Sequence, residues 1–233
     1  MRLAGHIRGR STLLAEAAVY ILAGMRRIRS VTAVAMLSVA LVAAPAAAET
    51  FRGTAGGDRL TGSGFPDRMA GRGGDDVIAG RNANDRIHGG PGSDLVFGHN
   101  GRDLLYGDRG DDVVRGGDGL DFIWGNGGYD YLYGQDAPDA IAGGGGLDII
   151  YGGRGDDVIY GGSGGDVINL GPGADSVQGN GGHDIIEVRR DGKVDRIDCG
   201  AGVDTVSYAG ARDARDRLRG CESIVTGEPF GDW

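Results

Sequence analysis

Between residues 53 and 187 apolar and polar positions recur every nine residues, with no insertion or deletion. Divided at the residue that opens each repeat, this stretch holds 15 units, all with Asp at the sixth place and an aliphatic residue or Met at the eighth. Fourteen open with Gly; the exception is Leu170. The unit reads G-G-x-G-x-D-x-U-x with U apolar, as in Gly152-Gly153-Arg154-Gly155-Asp156-Asp157-Val158-Ile159-Tyr160. Side chains alternate across a strand. The last three residues of each unit therefore predict a short strand with the eighth side chain inward and its neighbours outward, and the first six predict a turn. Two units make one coil of 18 residues, so unit n stacks on unit n+2 with parallel strands about 4.8 Å apart.

Stacking brings carboxylates 18 residues apart into rows along two edges. One edge holds Asp58, Asp76, Asp94, Asp112, Asp130, Asp148, Asp166 and Asp184; the other holds Asp67, Asp85, Asp103, Asp121, Asp139, Asp157 and Asp175. Like charges stacked this closely need a counter-ion. Calcium takes 6–8 oxygens at about 2.3–2.6 Å from carboxylates and carbonyls together, whereas magnesium demands a rigid octahedron and keeps its waters. Glycine lets carbonyls approach an ion and adopts positive φ cheaply. Zinc lacks its usual ligands, because His6, His88, His99, His183 and the two Cys form no close set. Turn preference alone would accept Asn or Ser at the sixth place, yet none of the 15 units has either. On the first edge every unit has Gly at places one and four; on the second, Phe65, Ala83 and Ala137 stand at place four and Leu170 at place one. The expectation is a continuous calcium row on the first edge and a gapped one on the second, best formed around Asp103–Asp121.

With these motifs, residues 53–187 resemble the hemolysin-type, or RTX, calcium-binding repeat family. The resemblance implies an all-β fold, a right-handed parallel β-roll (β-solenoid). It also implies that the sixth-place Asp side chains, with carbonyls of the Gly-rich turns, bind several Ca2+ ions between successive turns on each edge. The chain departs from RTX toxins in carrying an N-terminal rather than a C-terminal export signal, so toxin-type secretion and cytolytic activity do not carry over.

Composition sharpens this. Of 233 residues 49 are Gly, but without a G-X-Y triplet, which excludes collagen. The net charge is −9, of which the first 48 residues contribute +5 (six Arg against one Glu), leaving −14 for the rest. So acidic a chain suits cations and is a poor nucleic-acid partner. Residues 1–48 read as an N-terminal extension and a secretory signal peptide. Met25-Arg26-Arg27-Ile28-Arg29 is a basic start, Val31 to Ala44 an apolar stretch, and Ala46-Ala47-Ala48 a cleavage site. A membrane anchor is the alternative, but the apolar stretch is short for a span. The domain expectation is thus 1–48 leader, 49–187 β-roll and 188–233 continuation and cap, in a secreted, extracellular protein with no membrane span in its mature form. Past Glu187 a nine-residue echo persists after a two-residue slip, at Asp195-Arg196-Ile197 and Asp204-Thr205-Val206. Arg212 to Arg219 is expected to cover the open end. Cys199 and Cys221 both follow the repeats, and in an oxidising compartment the pair is expected to be bridged rather than free.

The outward positions are apolar in mid-array: Leu95/Phe97, Leu104/Tyr106, Phe122/Trp124, Tyr131/Tyr133, Ile149/Tyr151 and Val158/Tyr160. They fit cross-strand stacking or a docking face for a second copy, a polysaccharide or a cell surface. No H-E-x-x-H or G-x-S-x-G occurs, and the Asp residues are accounted for by the metal rows. The expected function is a non-enzymatic, calcium-folded structural or interaction module. The alternative is the calcium-binding module of a secreted enzyme or toxin system with its catalytic part on another chain. One inward residue in nine makes a thin core against the entropy of ordering a Gly-rich chain, so the calcium-free state is expected to be largely unfolded.

Overall fold

In a computed structural model of the chain, residues 48–227 are described. The expected signal peptide lies outside them, apart from Ala48. The described residues form 21 strands in two parallel sheets, one of 11 strands and one of 10; successive strands alternate between the sheets except for Arg196–Asp198 and Ala201–Gly202, which share one. This is a parallel β-roll of about ten coils. The register follows the repeat: Ile123 faces Ile141 and Ile141 faces Ile159 in one sheet, and Leu132 faces Ile150 in the other. Up to Glu187 every step is 18 residues because no unit gains or loses one.

The eighth-place side chains form a single file between the sheets, from Met69 through Ile78, Ile123 and Ile150 to Ile186, all but sealed from solvent. Seventh- and ninth-place residues point outward, as alternation requires. Strand length differs from expectation. The strands of the middle of the array run six residues, for example Val77–Asn82 and Val158–Ser163, so they include places one to three of the next unit. The reason is that in-register coils bring those backbone groups opposite each other too, as at Gln135 with Gly153. Only near the ends and at Val167–Asn169 do strands shrink to three residues.

Past Glu187 both sheets continue. Ile197 faces Val177 and Val206 faces Ile186, and two further strands, Arg217–Arg219 and Ser223–Gly227, form a last coil. The C-terminal cap is therefore this coil itself, with Arg217–Arg219 a rung of the sheet. A disulfide joins Cys199 to Cys221, across successive coils. Among the described residues no helix is long and apolar enough to cross a membrane.

Candidate metal centre

Each sixth-place Asp sits at the turn where the chain passes from one sheet to the other, and from Asp67 to Asp184 all are buried. One carboxylate oxygen has a fixed use. The Asp76 N–H donates to Asp94 Oδ1 (2.7 Å), Asp103 N–H to Asp121 Oδ1 (2.8 Å) and Asp157 N–H to Asp175 Oδ1 (2.8 Å). This spine continues past the regular repeat, through Asp175 to Asp195, Asp184 to Asp204, Asp195 to Asp216 and Asp204 to Glu222. Sequence reasoning left these four acids out of the rows, because the spacing lengthens to 20 and 21 residues at Asp195, Asp204 and Asp216, and Glu222, 18 past Asp204, is not an Asp. The echo at Asp195 and Asp204 was the signal that could have found the first two.

The other oxygen has no partner. From Asp76 to Asp184 every Oδ2 in both rows is buried and without a hydrogen bond, and so are those of Asp204 and Asp216. Its surroundings explain the glycine at place one. A Cβ on Gly161 would stand 2.6 Å from Asp166 Oδ2 and 2.7 Å from the carbonyl oxygen of Gly179 on the next coil. From the third unit on, carboxylate and carbonyl oxygens thus converge beside first-place glycines such as Gly98, Gly125 and Gly161, and the carboxylate Oδ2 there meets no proton donor. Two acceptors facing one another are satisfied by a proton or a cation.

Burial pushes the carboxyls of Asp112, Asp139 and Asp175 up from 3.8 to about 8, and that of Asp121 to about 7. The N–H of the preceding Asp in the row opposes the shift, and neighbouring carboxylates add to it. Asp85, Asp94, Asp103, Asp130, Asp148, Asp157 and Asp166 rise to about 6, again chiefly by burial. Buried anions next to anions are the electrostatic cost that a divalent ion would remove.

The donor set suits a hard cation. It is all oxygen, and among the described residues no three His, Cys, Asp or Glu side chains converge. A 6–8 oxygen shell here must therefore draw mainly on backbone carbonyls, which calcium accepts and zinc does not favour. The two ends of the rows differ. Asp58 Oδ2 accepts from the Thr54 hydroxyl (2.9 Å) and N–H (2.6 Å), and Asp67 Oδ2 from the Ser63 hydroxyl (3.0 Å) and N–H (2.7 Å). The first coil thus supplies its own donors at both edges.

The expectation that glycine is needed for positive φ requires correction at place one. Place one never has positive φ; place two does from Arg72 (87°) onward, including His99 (75°), Asp108 (80°), Asn126 (76°) and Asn180 (72°). Glycine at place one answers to space, not to backbone strain, and Leu170 there is unstrained and wholly buried in the core. At place four the strain argument holds. Glycines such as Gly110 (118°) and Gly128 (138°) are matched by Ala83 (79°) and Ala137 (84°), which are confined to the left-handed region. Fourth-place N–H groups such as those of Gly92 and Gly110 donate to the third-place carbonyl of the next coil at 2.9 Å; Ala83 and Ala137 make no such bond. A fifth-place ladder also went unread: Asp75, Asn84, Asp111 and Asp156 each accept the N–H of the residue 18 further on.

On the outer faces, His88 stacks on Tyr106 (4.3 Å) and Tyr106 on Trp124 (4.6 Å), their planes within 5° of parallel, and Tyr133 stacks on Tyr151 (5.0 Å). The ring faces are largely spent on neighbouring coils.

The model of the RTX calcium-binding nonapeptide repeat (four copies) matches residues 52–87, 80–114, 97–132, 106–140, 133–168 and 160–190, together more than half of the chain. No curated protein matches it.

Proposed function

Because the chain belongs to the RTX calcium-binding nonapeptide repeat family, we propose that it is a secreted β-roll that folds on binding calcium and serves as a structural or interaction module. The observation that carries this reading is the double row of buried, unpartnered Oδ2 atoms running from Asp76 to Asp184. Asp76, Asp94, Asp112, Asp130, Asp148, Asp166 and Asp184 on one edge, and Asp85, Asp103, Asp121, Asp139 and Asp157 on the other, would hold the ions together with carbonyls of the turns. Bound calcium supplies positive charge between coils. The carboxylates then stay ionised where burial alone would protonate them. Asp58 and Asp67 contribute least, since Thr54 and Ser63 already meet their second oxygens.

Calcium dependence and export support each other. Extracellular sites bind at about 10⁻⁴–10⁻³ M, so the roll would stay loose in calcium-poor cytoplasm and set outside. The Cys199–Cys221 disulfide suits an oxidising compartment. The structural role gains support from the self-stacked rings. An interaction role rests on the exposed seventh-place residues Leu95, Tyr131 and Ile185.

Circular dichroism of the chelated chain during a calcium titration tests the proposal. The expected result is a coil spectrum that converts to strand, with heat evolved in calorimetry. A spectrum already strand-rich in chelator and indifferent to calcium would overturn it. For export, protein recovered from culture medium should begin at Glu49.

A further inference from the structure

Down the edge that carries Asp85 to Asp157, the first-place residues stack as Gly80, Gly98, Gly116, Gly134 and Gly152. The column then changes chemistry. Leu170 follows Gly152, whose added Cβ would meet the Leu170 carbonyl oxygen at 2.5 Å and Asp157 Oδ2 at 2.7 Å. The Leu170 N–H donates to the Glu187 carbonyl (3.2 Å), which sets Leu170 beside Val188, and Val188 pairs in register with Tyr208. All three side chains are buried, at 0%, 3% and 1% exposed, and belong to the apolar core.

In the upstream coils a first-place Cβ points straight at the carboxylate and carbonyl oxygens that would surround an ion. At Leu170 a real side chain takes that direction. We infer that the calcium row on this edge stops at Asp157, and that Leu170, Val188 and Tyr208 hold the last coils together there by apolar packing in place of ions. The inference rests on the calcium reading above and deepens it. Asp175 accepts the Asp157 N–H at Oδ1 (2.8 Å) like the rest of its row, and its Oδ2 is buried and unpartnered like theirs; what sets it apart is Leu170 in the place of a first-place glycine, and on that ground it is not half of an ion site. The opposite edge runs further. Its glycine column continues through Gly161 to Gly179 and ends at Cys199, buried and bridged to Cys221. The two rows therefore end at different coils, each at a side chain that replaces the ion by other means.

Calorimetric stoichiometry on the full chain tests this. Asp157→Asn should lose at least one calcium, Asp175→Asn should lose none, and Leu170→Gly should gain one. An Asp175→Asn chain that loses as much calcium as Asp157→Asn overturns the inference, as does a folded Leu170→Gly that takes up no more than the wild type. If Leu170→Gly does not fold, the two Asn variants decide. A wild-type chain that binds no calcium overturns the function proposed above as well, whereas calcium binding with equal Asn variants overturns this inference alone.

Discussion

Glycine serves the repeat in ways that single substitutions separate. At place one it leaves room beside the carboxylate, so Gly161→Ala, with its Cβ 2.6 Å from Asp166 Oδ2, should raise the calcium midpoint of folding several-fold. Gly181 at place three has nothing within 4 Å of an added Cβ and no positive φ. Gly181→Ala should stay within about 0.5 kcal/mol of wild type; parallel titrations by circular dichroism check the pair. The carboxyls give a second residue-scale expectation. Burial raises the row carboxyls from Asp85 to Asp175 to between about 6 and about 8, with Asp112, Asp139 and Asp175 highest, against an ordinary 3.8. Between those values the folded state holds more protons than the unfolded one. Their contribution is therefore fully present below about 3.8 and is lost as pH rises through 6 to 8. In calcium-free buffer the protein should keep more strand signal at pH 5 than at pH 8.5. A spectrum that strengthens with pH would contradict this.

Elements carry the strain that residues create. From Arg72 onward the turns bend at places two and four, where φ is positive at every such position but Gly173, and Ala83 and Ala137 meet that demand without the freedom of glycine. Ala137→Gly should relieve about 1 kcal/mol and restore the missing fourth-place bond, seen as a higher denaturant midpoint in saturating calcium. The strands depend on their inward residue. Ile123, with no exposed surface, stacks between Leu105 and Ile141, and Ile123→Ala should cost about 2–5 kcal/mol by the same measurement.

At the scale of the molecule the roll is a one-dimensional array in which each coil touches only its neighbours, so its ends decide its integrity. Thr54 and Ser63 close the first coil with hydroxyls, and the Cys199–Cys221 bridge closes a 22-residue separation at the other end. Cys221→Ser should lower stability by about 3 kcal/mol in the chain-entropy view. Hydrogen exchange should localise that loss to the final coils.

The unbroken nine-residue period dictated the roll, its 18-residue register, the inward file from Met69 to Ile186 and the two carboxylate rows, because identical spacing leaves one way to stack identical units. The strands past Glu187 were half legible: Ile197 and Val206 echo the period, but Leu218 pairs with Ile197 across a longer step that only spatial pairing reveals. Tertiary structure alone decided how each Asp divides its oxygens, one on a backbone N–H and one left for a cation. It also decided that place one needs space while place two needs positive φ, and that Leu170, Val188 and Tyr208 form one column. The reason is common to all three. Each is a relation between neighbouring coils, set by atoms about 5 Å apart in space and 18 to 21 residues apart in sequence, where no local pattern records which oxygen or which Cβ meets which.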